Sequence, residues 1–223
     1  MKKMGLLIGL IVCSISWFAC GTNATYTQIP RCEKIPATKV TTLVRQVYQP
    51  IGAGTCVAYI QAFDQAGWYE SRLNSRRLRG EAVLRLGCTH CPPGNIDCGS
   101  PGYTGGCHSA SFNFDFALIQ EDAEIVAAYL AVYVVENADS MMHTVLKARA
   151  NIGGDFTVLA GQPKLSGQWV LYDLTAYACR MVAERRNAVN LNLSLPCGPY
   201  PMAKVATAVM SEGAQATLIV EYR

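Results

Sequence analysis

Trp169-Val-Leu-Tyr-Asp-Leu-Thr175 leads into Ala176-Tyr-Ala-Cys-Arg-Met-Val-Ala-Glu-Arg-Arg186 and then Val189-Asn-Leu-Asn-Leu-Ser-Leu195, and this stretch decides the fold class. The first part is a short apolar run rich in strand-forming residues, the second has helical spacing of its apolar residues, and the third alternates strictly. Val189, Leu191, Leu193 and Leu195 therefore face a core, while Asn190, Asn192 and Ser194 face away from it. Downstream, Met210-Ser-Glu-Gly213 reads as a turn, and the segment 216–222 as a closing strand with Leu218, Val220 and Tyr222 on one face. Strand, short helix and two further strands in this order are expected to close a β-sandwich.

Working back toward the start, further strands are expected over 43–49, 55–63, 82–86, 111–117, 125–135, 144–150 and 203–210. In Phe112-Asn-Phe114-Asp-Phe116 the three rings point one way, and Asn113 and Asp115 the other. Many short strands separated by Gly and Pro turns predict an all-β, jelly-roll-like antiparallel β-sandwich, with one short helix over 176–187.

Residues 87–110 differ in kind. They hold Cys88, Cys91, Cys98 and Cys107, six glycines and three prolines, and little that builds a core. A disulfide-rich loop inserted into a single domain over 43–223 is expected, preceded by an extended, proline-containing arm over 22–42.

The first 21 residues carry Lys2 and Lys3, an apolar run over 4–12 and a small-residue exit at Ala19-Cys20-Gly21. This is the pattern of a secretory signal peptide, too short to span a bilayer as an ordinary anchor. The pair Ala19 and Gly21 favours cleavage after Gly21; a lipid anchor at Cys20 is the alternative, with Trp17-Phe18 a poor match for it. Removing Lys2 and Lys3 from the 19 basic residues leaves 17 against 16 acidic ones. A near-neutral chain gives no reason to expect a nucleic acid partner.

After Cys20 come Cys32, Cys56, Cys88, Cys91, Cys98, Cys107, Cys179 and Cys197, an even number behind a signal peptide. Disulfides formed in an oxidising compartment are expected, in a connectivity the spacing leaves open. Cys88-Thr-His-Cys91, with His108 near, also has metal-ligand spacing; the parity and the compartment favour disulfides, so no metal and no cofactor are expected.

From 111 to 222 the chain resembles the extracellular DNRLRE domains and the related alginate-binding carbohydrate modules and disaggregatase-type domains. The resemblance rests on Phe114-Asp-Phe116, Ala127-Ala-Tyr-Leu-Ala-Val-Tyr-Val134, Trp169-Val-Leu-Tyr-Asp-Leu-Thr175, Ser211-Glu212 and Leu218-Ile-Val-Glu-Tyr222, with 64–86 as a counterpart of the family's opening strands. It implies a jelly-roll fold on a secreted or surface-exposed protein. The cysteine-rich insertion departs from the family pattern, as does Gly153-Gly-Asp-Phe156 where a Trp-rich segment is usual.

Trp68, Tyr69, Arg72, Arg76, Arg77, Arg79 and Arg85 crowd into 18 positions. Guanidinium forks grip carboxylate or sulfate in two-point geometry, and rings stack on sugar faces. This cluster is the expected ligand-binding site for a polysaccharide or glycoconjugate, acidic by preference; the bland alternative is a solvated strand face. Asn23 and Asn192 head glycosylation sequons. No catalytic residue is expected, because His90, His108 and His143 lack a neighbouring nucleophile and the carboxylates lack an acid/base pairing. The expected function is thus a secreted, non-catalytic glycan-binding or adhesive surface module. The alternative is a structural subunit of an extracellular matrix, coat or filament that joins copies of itself or other surface proteins through an open sheet edge.

Overall fold

Period-two alternation produces an all-β protein in the computed structural model, which describes residues 45–71, 74–89, 106–119, 121–149, 156–159 and 162–223. The strands are β1 (Cys56–Gln61), β2 (Asp64–Ser71), β3 (Asn74–Arg79), β4 (Val83–Cys88), β5 (Gly106–Asp115), β6 (Ile125–Glu136), β7 (Val145–Arg149), β8 (Phe156–Val158), β9 (Lys164–Ser166), β10 (Trp169–Asp173), β11 (Ala188–Ser194), β12 (Ala203–Ala206) and β13 (Thr217–Tyr222). Helix α1 (Thr175–Ala183) follows β10.

All the strand pairings are antiparallel. β9, β10, β6, β13 and β1 form one layer, and β3, β2, β5, β11, β7 and β8 the other. β12 and β4 carry the hydrogen bonding from β6 round to β5, so the layers are two halves of one curled sheet. The result is the expected jelly-roll-like antiparallel β-sandwich.

The core lies between the layers. Phe112, Phe114, Leu191 and Leu193 meet Ile60, Leu130, Val132, Leu218 and Val220 there. Each such buried side chain contributes about 1.5–3 kcal/mol relative to an exposed one. On β5 and β11 the buried residues alternate with partly exposed Asn113, Asn190, Asn192 and Ser194, as the pattern predicts.

The centre of the first layer departs from that simple alternation, because β13 is buried at every position. Its outward-facing Ile219 belongs to a second apolar cluster with Tyr48, Ala127, Ala131, Trp169 and Leu171, partly covered by Tyr59, Tyr129 and Tyr133. A strand with both faces covered reads as a continuous apolar run.

Several expected boundaries shift. Residue 45 is helical and 46–50 form a turn and irregular chain where a strand over 43–49 is expected; 43 and 44 lie outside the described residues. Residues 87–88 and 106–110, expected in the loop, belong to β4 and β5, because the loop's ends continue the strand ladder. The middle of the loop, with Cys91, Cys98 and His90, lies outside the described residues, as do Asn23 and Cys32. β12 stops at Ala206, four residues before the expected end.

The helix stops at Ala183 and not at 187. Arg185 turns left-handed at φ 51°, and Arg186 N–H donates to the Met181 carbonyl, a closure that ends a helix. Tyr177, Ala178 and Met181 form its buried face.

Candidate functional site

The β2–β3 hairpin flanks β5, and its register decides what the aromatic and cationic residues do. Trp68 lies opposite Arg77, and Tyr69 opposite Arg76. Successive residues of a strand point to opposite faces. The expected cluster is therefore divided: Trp68, Arg77 and Arg79 on the outer face of the second layer, and Tyr69 and Arg76 on the other. Arg85, on β4, neighbours Lys204 of β12, and Arg72 lies outside the described residues.

On the outer face, Trp68 is 37% exposed. Its Nε1 donates to Ser111 Oγ at 3.3 Å, and the Arg77 guanidinium stands 5.9 Å from the ring centre. The hydrogen bond reaches diagonally across the ladder, since Trp68 lies opposite Ser109 and Ala66 opposite Ser111. The indole is thereby tied down along the sheet, and Ala66 beneath this corner has no exposed surface. A tethered indole with an exposed surface offers a flat apolar face on which a ring can stack.

Beside the platform runs a chain of polar contacts. Asn190 Nδ2 donates to Asn113 Oδ1, Asn113 Nδ2 donates to Asp64 Oδ2 at 3.0 Å, and Asp64 accepts an ion-pair hydrogen bond from Arg77. Asp64 thus occupies the charge of Arg77. Arg79 and Arg149 are exposed and Lys147 is half-buried; no described carboxylate forms a salt bridge with any of the three.

The opposite side of the hairpin holds a tighter group. Tyr69 stacks at a tilt on His108, with ring centres 5.0 Å apart, and Arg76 lies 5.5 Å from the Tyr69 centre. A methyl group at Gly106 would come within 2.1 Å of the Tyr69 ring, so only glycine admits the ring there. Burial, and then the charges of Arg85 and Arg76, lower the His108 pKa and so favour its neutral imidazole. His143 stacks face to face on Tyr200 at 3.8 Å. Both described histidines are thus held by ring contacts.

Cys88 and Cys107 lie directly opposite one another on β4 and β5 and form a disulfide. Cys56, Cys179 and Cys197 are disulfide-bonded as well. The sulfur of Cys197 sits with those of Cys88 and Cys107 inside 4.8 Å, the spacing of a thiolate metal site. Sulfurs joined in a disulfide are not thiolates and do not ligate as such.

Glu221 is a group the residue pattern does not reveal. It lies on the outer face of the first layer, fully buried. Its carboxylate accepts from the Tyr48 and Thr55 hydroxyls and from the backbone N–H of Ile51 and Gly52, at 2.9 Å and 2.8 Å for the two amides. Burial pushes its pKa up, but these hydrogen bonds outweigh burial and leave it below the ordinary glutamate value. The same contacts bind residues 48–55 onto the sheet.

Fold and site together define a β-sandwich with a polar, aromatic outer face. No protein-family model matches the chain, and no curated protein matches it. No helix among the described residues is long and apolar enough to cross a membrane.

Proposed function

We propose that this protein is a secreted, non-catalytic module that binds glycan through the outer face of the second layer, as an adhesive or surface component. The observation that carries the reading is the half-exposed Trp68 indole tied down by Ser111 and flanked by Arg77, beside the Asn190–Asn113–Asp64 amide and carboxylate chain. Apolar ring faces and fixed polar groups side by side are what a sugar offers complements to. The signal-like first 21 residues and the disulfide-bonded cysteines support secretion. The likeness of 111–222 to DNRLRE and alginate-binding modules supports the same class.

The second reading, a structural subunit of a matrix, coat or filament, draws on β3. Among the described pairings it joins only β2, which leaves an open edge. Arg76, Arg77 and Arg79 charge that edge and oppose addition of a like strand, so glycan binding is preferred.

Binding of the secreted protein to a panel of neutral, uronate and sulfated polysaccharides, with wild type and Trp68→Ala, tests the reading. Wild type binds at least one acidic chain and Trp68→Ala loses about 1–3 kcal/mol, the worth of one aromatic stacking contact. Undiminished binding by Trp68→Ala removes this face as the site. Absence of all binding, with light scattering showing a polymer, favours the matrix subunit.

A further inference from the structure

The strand register sets five residues in one line across the second layer. Arg79 faces Ala66, Ala66 faces Ser111, Ser111 faces Asn192, and Asn192 faces Lys147. Residues directly opposite across antiparallel pairs share a face. The line crosses β3, β2, β5, β11 and β7, four inter-strand steps, so it is about 19 Å long. A cation stands at each end and three small or polar residues lie between. Trp68 reaches over this line to bond Ser111.

We propose that this row binds a linear polyanionic glycan laid across the strands, with one acidic group on Arg79, a sugar ring on Trp68 and another acidic group on Lys147. This deepens the glycan-binding reading and rests on it. Charge complementarity selects the occupant. Arg77, the cation nearest the platform, is already neutralised by Asp64, whereas Arg79 and Lys147 form no salt bridge with the described carboxylates. Arg149 adds a further exposed cation two residues along β7, on the same face. Opposite charges at the ends would fit a zwitterion; like charges 19 Å apart fit a chain that repeats its acid. Ala66 and Ser111 are buried, with Trp68 bonded across to Ser111, so a repeating chain laid along the row rests on the indole between the two cations.

The row assigns Asn192 as well. Its side chain lies on the floor of the line, between Ser111 and Lys147. An N-linked glycan there would fill the path, so Asn192 is a ligand-facing amide and stays unmodified.

The test uses the secreted full chain, oligouronates of graded length, and neutral oligosaccharides of matching length. Variants are Arg79→Gln, Lys147→Gln, the double variant and Trp68→Ala, each checked for an unchanged melting temperature. Wild-type affinity for oligouronates should climb with length and level off once the chain spans both cations. Each single variant should lose about two- to fivefold on the long oligomers, the worth of one exposed ion contact, and raised salt should erase the difference. Neutral chains should be indifferent to both substitutions. If Arg79→Gln and Lys147→Gln bind long oligouronates as wild type does, while Trp68→Ala does not, the row is wrong and the glycan reading stands. If wild type binds no saccharide, both fall. Mass spectrometry showing a glycan on Asn192 of the binding-competent protein would also overturn the row.

Discussion

Glu221 shows how a single residue sets local structure. Among the described residues it is the only ionisable side chain that is fully buried, and four donors from residues 48–55 converge on it. Hydrogen bonds to a charged group are worth about 1.5–3 kcal/mol each, against about 0.5–1.5 for neutral ones. Glu221→Gln keeps the shape and removes the charge, so urea unfolding at pH 7 should show a loss of about 1–3 kcal/mol. Because the folded pKa is lowered, this stabilisation is present above the unfolded glutamate pKa, near 4.3, and fades as pH falls through the folded value. The gap between wild type and Glu221→Gln should therefore narrow below about pH 4; a gap unchanged down to pH 2 would contradict the account. Nothing in Leu218-Ile-Val-Glu-Tyr222 announces this role, since a glutamate on an outward strand position ordinarily meets water.

At the scale of elements, strands with apolar alternation were legible and the polar hairpin was not. β6, β11 and β13 fall on the expected segments and β5 covers most of 111–117, because period-two burial against a core is written in local order. β2 and β3 carry Asp-Gln-Ala-Gly-Trp-Tyr-Glu-Ser and Asn-Ser-Arg-Arg-Leu-Arg, with little alternation. They are strands because β5 offers an edge to β2 and Gly67 lets Leu78 and Leu84 pack close against the backbone of β2. β10 illustrates the converse. Trp169 is buried in the outer cluster and meets Tyr133 edge-on at 5.3 Å. Trp169→Ala should cost about 3–5 kcal/mol in denaturant unfolding, and a cost under about 1 would mean that the ring is not packed.

For the whole molecule, disulfides cross-link the curled sheet. Cys88–Cys107 closes a segment of sequence separation 19 at the junction of β4 and β5. Replacing both cysteines by alanine should lower stability by about 2–4 kcal/mol, chiefly by freeing the unfolded chain. Mass spectrometry of the unreduced secreted protein should find no alkylatable thiol among the eight cysteines after Cys20; four free thiols with stoichiometric zinc would refute that. By itself the sequence determined the all-β class, the inward rings of 112–116, the outward amides of Asn113, Asn190 and Asn192, and the parity of the cysteines. Each of these depends on nearest neighbours along the chain or on a count. Only the tertiary structure decided that Trp68 and Arg77 part from Tyr69 and Arg76, that Arg79 and Lys147 end one row, and that Glu221 lies under residues 48–55. The first depends on the register of β2 against β3 and β5, and the other two on contacts between strands and segments far apart in sequence; a shift of one residue in register would turn every side chain to the other face.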